Sequence, residues 1–170
     1  MAKPSLSTLK HHHLRATARN VGCVEHWHKE NALELNPPYQ RGVVWGVKKQ
    51  RALIQSLLEG IPIPSIIVND RMEADWPMSQ WKYTVIDGKQ RLTAILNFVE
   101  GKYSVPGGWF EQSADWVFYP ELPPEKQRKF SHKCLQFSEG RLATLAEEEE
   151  VFNRVNYGGL PQGEVDDDLI

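Results

Sequence analysis

Cysteine is scarce in these 170 residues: Cys23 and Cys134 stand far apart and form no C-x-x-C pair. That excludes a disulfide-framed domain and a cysteine-rich zinc site, and it makes a reducing compartment the default. No apolar run approaches the roughly 20 residues needed to span a bilayer, so no membrane partner is expected. Residues 1–20 lack an apolar signal core, and the expected location is cytoplasmic. Internal repeats and low-complexity linkers are missing. So are the phosphate-loop segment G-x-x-x-x-G-K-[ST] and the nucleophile elbow G-x-S-x-G, which leaves P-loop enzymes and Ser-His-Asp hydrolases without support. There is no cationic excess either. Lys and Arg number 20 against 22 Asp and Glu, for a net charge of −2. This argues against a general DNA-coating protein but leaves room for a local basic face.

What is present suffices for one domain, with 41% hydrophobic residues to fill one core. Charge is unevenly spread. Nine acids lie between Glu139 and Ile170, opposed only by Arg141 and Arg154. Residues 1–20 carry Lys3, Lys10, Arg15 and Arg19 with no acid, and residues 41–51 carry Arg41, Lys48, Lys49 and Arg51 with no acid. Either solvated faces have clustered, or a basic surface serves phosphates while an acidic tail stays away from it. Residues 1–12 read as a flexible basic leader, 13–164 as a single domain and 165–170 as an acidic tail. His11-His12-His13 and His26/His28 have no partner at a recognised metal-ligand spacing.

Periodicity predicts a helix over Leu14–Lys29, a short strand over Ala32–Leu35, and a helix over Lys48–Glu59 that stops at a left-handed Gly60. A branched strand over Pro64–Val68 and a polar loop over Asn69–Gln80 follow, then a strand over Trp81–Ile86. Lys89–Val99 is strongly amphipathic, with Leu92, Ile95, Leu96 and Val99 at helical spacing. A hairpin around Pro106-Gly107-Gly108, a short helix from Pro123-Pro124 to about His132 and a strand over Cys134–Phe137 complete the middle. Thr144 and Glu147 suit a capping box. The helix they open should bury Val151, Phe152 and Val155, show Glu147–Glu150 to solvent, and end at Gly158-Gly159. Mixed helices and strands in this order define an α+β or α/β layer fold.

Three stretches carry candidate chemistry. In the first, a branched strand runs through Asp87-Gly88 straight into the helix of Lys89, Gln90 and Arg91. Such a junction aims unpaired N–H groups and the positive end of a helix dipole at one point, where phosphates bind. Gly88 lets a ligand approach the backbone, and Arg91 is placed to grip a phosphate. Asp87 has three open roles: holding a metal, orienting a water, or capping the helix. The second stretch is Pro37-Pro38-Tyr39-Gln40-Arg41 with Trp45, either an aromatic and cationic ligand wall or a packed structural loop. The third is Phe152 to Gly159, where Asn153, Arg154 and Asn156 form either a binding rim or an ordinary helix end. Asp70 with Asp87 as a two-carboxylate nuclease centre has no support from spacing.

Taken together and in order, these stretches resemble domain-of-unknown-function family 262, a branch of the ParB/sulfiredoxin-like superfamily. The matching pieces are Pro37–Arg41, Trp45, Gly60-Ile61-Pro62-Ile63-Pro64, Ile86-Asp87-Gly88-Lys89-Gln90-Arg91-Leu92-Thr93 and Phe152–Gly159. The likeness covers roughly residues 20–164. It implies a ParB-like small mixed sheet flanked by helices, similar to the N-terminal domain of GmrSD-type and SspE-type defence proteins against phage. It further implies nucleoside triphosphate binding and hydrolysis with Mg, tied to DNA recognition, restriction or nuclease action. On that likeness Asp87, Gln90 and Arg91 are catalytic, with Asp87 holding Mg. Gln40, Arg41, Gly88, Lys89, Arg91, Arg154 and Asn156 bind nucleotide or phosphate.

Two departures shape the expectation. Lys89 replaces the first Gln of the family signature, which favours phosphate binding over water orientation. The sequence ends at Ile170 without the His-Asn-His nuclease domain that such proteins often carry, which implies a separate effector or no effector. Two readings therefore stay open: a nucleoside triphosphate hydrolase linked to DNA, and a non-catalytic module that engages DNA or a host or phage protein.

Overall fold

The computed structural model describes residues 10–74, 76 and 79–157. Among these residues the chain forms seven strands and five α-helices. In chain order they are β1 (Arg15–Asn20), α1 (Val21–Lys29), β2 (Leu33–Glu34), α2 (Val47–Glu59), β3 (Ile66–Asp70), β4 (Tyr83–Asp87) and α3 (Lys89–Val99). Then come β5 (Ser104–Pro106), β6 (Trp116–Phe118), α4 (Pro124–Ser131), β7 (Cys134–Gly140) and α5 (Leu145–Tyr157). This is an α+β fold. A five-stranded mixed sheet has the order β1-β7-β3-β4-β2, and β5 pairs with β6 in a small second sheet. β7 is antiparallel to β1 and parallel to β3; β4 is antiparallel to β3 and parallel to β2.

The two-residue period of a strand sorts side chains between the faces of the sheet. Ile66, Val68, Tyr83, Val85, Leu135 and Phe137 enter the main core with residues of α1, α2, α3 and α4. Ile67 and Ile86 point the other way and meet Leu142, Val151 and Phe152 beside α5. The main core holds an aromatic knot: Phe98 of α3 touches Tyr103, Phe110, Tyr119 and Phe130 at centroid distances of 5.2–6.0 Å. Tyr103 also donates its hydroxyl to the Ala94 carbonyl at 2.8 Å. This knot ties the small sheet and α4 to α3, so α3 cannot tilt independently. Truncating a residue such as Phe98 costs about 3–5 kcal/mol.

The predicted helix over Leu14–Lys29 is a strand followed by a helix. The Asn20 side chain accepts from the Cys23 N–H at 2.7 Å, and this N-cap fixes the helix start at Val21. Before it, Arg15, Thr17 and Arg19 alternate with alanines and pair with β7 from Glu139 to Leu135. Tertiary pairing thus overrides an apolar spacing that only loosely fits a helix. α3 spans the predicted residues. β3 runs on through Asn69 and Asp70, since their backbone pairs with β4 even though their side chains are polar.

In α5, Thr144 Oγ1 accepts from the Glu147 N–H at 3.2 Å, while the Glu147 carboxylate accepts from the Ala143 N–H at 2.7 Å. Val151 is buried, but Val155 is 45% exposed, because the small core under α5 ends at Phe152. Glu148 is fully buried, against the expectation of a solvated acidic run. Lys10 and His12 lie on this helix, within 3.0 Å of Glu147 and 3.5 Å of Glu150. Gly158-Gly159 and the acidic residues from Glu164 onward fall outside the described residues.

Candidate functional site at the junction of β4 and α3

β4 delivers Asp87 to the edge of the sheet, and Gly88 turns the chain into α3 with φ of +95°. Only glycine takes that backbone readily. A Cβ there would also lie 3.0 Å from Ile66 Cγ1 and 3.1 Å from Arg91 Nη2. The first turn of α3 has no side-chain cap, so its N–H groups and dipole remain available to an anion. Arg91 folds back over the turn. Its Nη2 donates to Asp87 Oδ2 at 2.8 Å and to the Ser65 carbonyl at 3.1 Å. Its Nε is buried with no hydrogen-bond partner among the described residues. Asp87 and Arg91 therefore form a partly exposed pair at an uncapped helix start, with one donor unsatisfied.

The loop after Pro37-Pro38 is clasped against this junction. Gln40 Nε2 donates to the carbonyls of Val85 and Ile86, the latter at 2.7 Å. Lys89 Nζ donates to the Arg41 carbonyl at 2.8 Å. Gln90 accepts from the N–H groups of Val44 and Trp45 at 3.1 and 3.4 Å and donates to the Gly42 carbonyl at 3.1 Å. The structure thus brings Gln40, the Arg41 backbone, Asp87, Gly88, Lys89, Gln90 and Arg91 together. The roles it gives them are uneven. The Arg41 side chain is exposed, the Lys89 side chain is buried, and the amide of Gln90 is occupied at both ends. Burial lowers the pKa of Lys89.

Arg154 and Asn156 stand apart from this group. Both are exposed on α5 and bond within their own helix, Arg154 to Glu150 at 3.3 Å and Asn156 to the Phe152 carbonyl at 2.8 Å. The link from α5 to the junction runs instead through Tyr39, whose ring lies 5.3 Å from that of Phe152. Tyr39 also donates to Glu148 Oε2 at 3.2 Å, and burial pushes its pKa far above the normal tyrosine range.

Sequence reasoning missed the buried network around Glu148. Arg71 grips Glu148 with two bonds of 2.9 and 2.8 Å and reaches Glu34 at 2.7 Å. Asn69 donates to Glu148 at 2.8 Å and exchanges two further bonds with the backbone of Leu142. Trp76 lies 4.0 Å from the Arg71 guanidinium. A signal existed: Glu148, Val151 and Phe152 share one helical face by the three- and four-residue rule. The network fixes α5 to β3 and, through Tyr39, fixes the loop that covers the junction.

A cleft of about 290 Å³ among His13, Arg15, Asp70, Glu139 and Arg141 lies elsewhere. Its cations face its acids, with Arg141 on Glu73 and Arg15 within 3.9 Å of Glu139. Asp70 pairs across the sheet with Tyr83, while Asp87 pairs with Ile67. The two aspartates therefore sit at opposite ends of the β3–β4 ladder. Among the described residues no group of three or more His, Cys, Asp or Glu side chains is arranged to hold a metal ion. No helix there is long and apolar enough to cross a membrane.

The fold and junction define an α+β domain with an anion-ready, glycine-opened helix start beneath a clasped loop. The model of the family "GmrSD restriction endonuclease, N-terminal domain" matches residues 24–167, and the chain belongs to that family. The family is a domain of a restriction endonuclease, which associates it with defence and with action on DNA. No curated protein and no solved structure matches the chain.

Proposed function

We propose that this domain binds a nucleoside triphosphate at the β4–α3 junction and hydrolyses it with Mg²⁺, in support of DNA recognition or cleavage in phage–host conflict. The observation that carries this reading is the Asp87–Arg91 pair over the uncapped start of α3. An incoming phosphate would take the first-turn N–H groups and the partly exposed guanidinium of Arg91. Mg²⁺ is commonly held by one or two carboxylates together with substrate phosphates and waters. Asp87 fits that demand: Oδ2 takes Arg91, and Oδ1 has no hydrogen bond among the described residues. The metal, when bound, supplies charge neutralisation on the phosphates. Arg91 would stabilise developing negative charge, and the 40–45 loop would restrict water and shape the base or sugar pocket. Arg41, exposed at the loop edge, would meet outer phosphates, with Arg154 and Asn156 as a more distant rim.

A second reading has its own support. Gln90 has both amide ends committed to the loop, and Lys89 is bonded to the Arg41 carbonyl. Neither is free to orient an attacking water in this arrangement. That favours a non-catalytic module that senses a nucleotide or engages DNA or a protein partner such as a separate effector.

Phosphate release from each ribonucleoside triphosphate with Mg²⁺, with and without DNA, separates the two. Turnover by wild type that disappears in Asp87→Ala and Arg91→Ala, with melting temperatures retained, supports hydrolysis. Folded wild type that binds nucleotide without turnover supports the sensing module. Absence of both binding and turnover would remove the nucleotide reading.

A further inference from the structure

Apart from Arg41, the cations of the basic stretch 41–51 are absorbed neither by the junction nor by the core. Arg41 lies on the clasped loop, and Lys48, Lys49 and Arg51 follow in the first half of α2. No acid occurs between Glu34 and Glu59. Among the described residues none of these four cations has a carboxylate within salt-bridge reach. Cations elsewhere, such as Arg19, Lys29 and Arg141, each sit on one. In a chain of net charge −2, this is a concentrated run of positive charge spread around the solvent-facing side of the start of α2, and solvated charges of one sign repel unless a counter-charge arrives.

Two of the cations are pre-positioned against aromatic rings. The Arg51 guanidinium lies 4.5 Å from the Trp116 ring, and its Nε donates to the Ser104 carbonyl at 2.7 Å. The Lys49 ammonium lies 4.7 Å from the Trp45 ring. Trp116 is itself 53% exposed, and Val43, Val44 and Val47 stand open on either side of Trp45, up to the start of α2. Cations interleaved with exposed aromatic and aliphatic surface suit a phosphodiester backbone, whose phosphates take the charges while sugars and bases take the flat apolar surface.

We infer that DNA docks on the strip formed by Arg41, Lys48, Lys49, Arg51 and Trp116. This rests on the reading of the domain as DNA-acting and names the surface through which it acts. Gln90 holds the loop that carries Arg41 and Trp45, so the strip abuts the proposed nucleotide site and shares Arg41 with it, while Lys48, Lys49, Arg51 and Trp116 belong to the strip alone.

The test is fluorescence anisotropy of a labelled DNA duplex titrated with the full chain across a salt series. Wild type should bind with a strong inverse salt dependence. Lys48→Gln with Lys49→Gln should weaken binding at least ten-fold and lower the salt slope by about two, at about 0.9 per lost phosphate contact. Trp116→Ala should weaken binding while leaving the slope near its wild-type value. Arg128→Gln with Lys129→Gln, on α4, should match wild type. Wild-type binding that survives the strip variants with an unchanged slope would overturn the surface and leave the DNA reading standing. No binding by wild type at any salt would overturn both. Strip variants that change sedimentation but not DNA affinity would assign the face to self-association instead.

Discussion

Lys89 turns its ammonium inward and donates to the main-chain oxygen of Arg41 at 2.8 Å. The cation that departs from the family signature is thus a strut beneath the loop rather than an open phosphate ligand. Lys89→Met keeps the volume and deletes the donor. The bond is part-buried and made by a charged donor, and losing one of that kind costs about 1.5–3 kcal/mol. The urea midpoint should fall accordingly, and amide exchange in residues 41–45 should quicken before any global change. Lys89→Gln, which restores an amide, should recover much of the loss. Equal midpoints for all three proteins would show that the strut carries no load.

Glu148 and Arg71 should behave as a buried pair. Removing one member takes from the other its two-bond partner, leaving Arg71 with Glu34 or Glu148 with Asn69 and Tyr39, at about 3 kcal/mol. Glu148→Ala and Arg71→Ala should each destabilise by that order in chemical denaturation. Their double variant should lose less than the sum of the two, since the contact is counted once. Strict additivity would show that the pair does not couple.

Gly88 has no freedom to change. Alanine there would hold an unfavourable positive φ and press its Cβ against Ile66 at 3.0 Å. The expected cost is about 1–3 kcal/mol, read as a lowered melting temperature. Any nucleotide affinity should fall further than stability alone explains, since the N–H groups after Gly88 would shift.

Acid should loosen the start of α5. The Lys10 ammonium, followed by the Ala143 N–H, holds the Glu147 carboxyl below the usual glutamate value of 4.5. A carboxylate with a depressed folded-state pKa contributes stability that is present above the unfolded value and is lost as pH falls through the folded one. Unfolding free energy should therefore drop below about pH 4.5. Glu147→Gln should flatten that drop while lowering stability modestly at neutral pH. Parallel pH profiles for the two proteins would contradict this.

The sequence showed α3, α2 and the strand before Asp87 clearly, because apolar spacing and branched residues agree there with the tertiary demand. It showed Gln40, Gly88, Gln90 and Arg91 as one group only through their resemblance to a family pattern; spacing alone does not bring residue 40 to residue 90. It misread residues 14–20, whose helix-like spacing yields to pairing with β7. It also misread Glu148, where an acidic run concealed one inward-facing carboxylate whose partner lies 77 residues away. Long-range pairing is the common cause of these two errors. Local pattern reports what a segment tolerates, and distant partners decide which tolerated state is used.

The place of β7 between β1 and β3 bears on how the chain is made. Both neighbours leave the ribosome long before residues 134–140 exist, and until then the middle of the sheet has no strand to fill it. Joining β1 to β7 closes a loop of more than a hundred residues, an entropic cost met late in folding. Nascent chains shorter than this point should expose strand edges and depend on chaperones. Synthesis of residues 134–140, rather than collapse of the strands before them, is therefore the event that commits the chain to the native sheet.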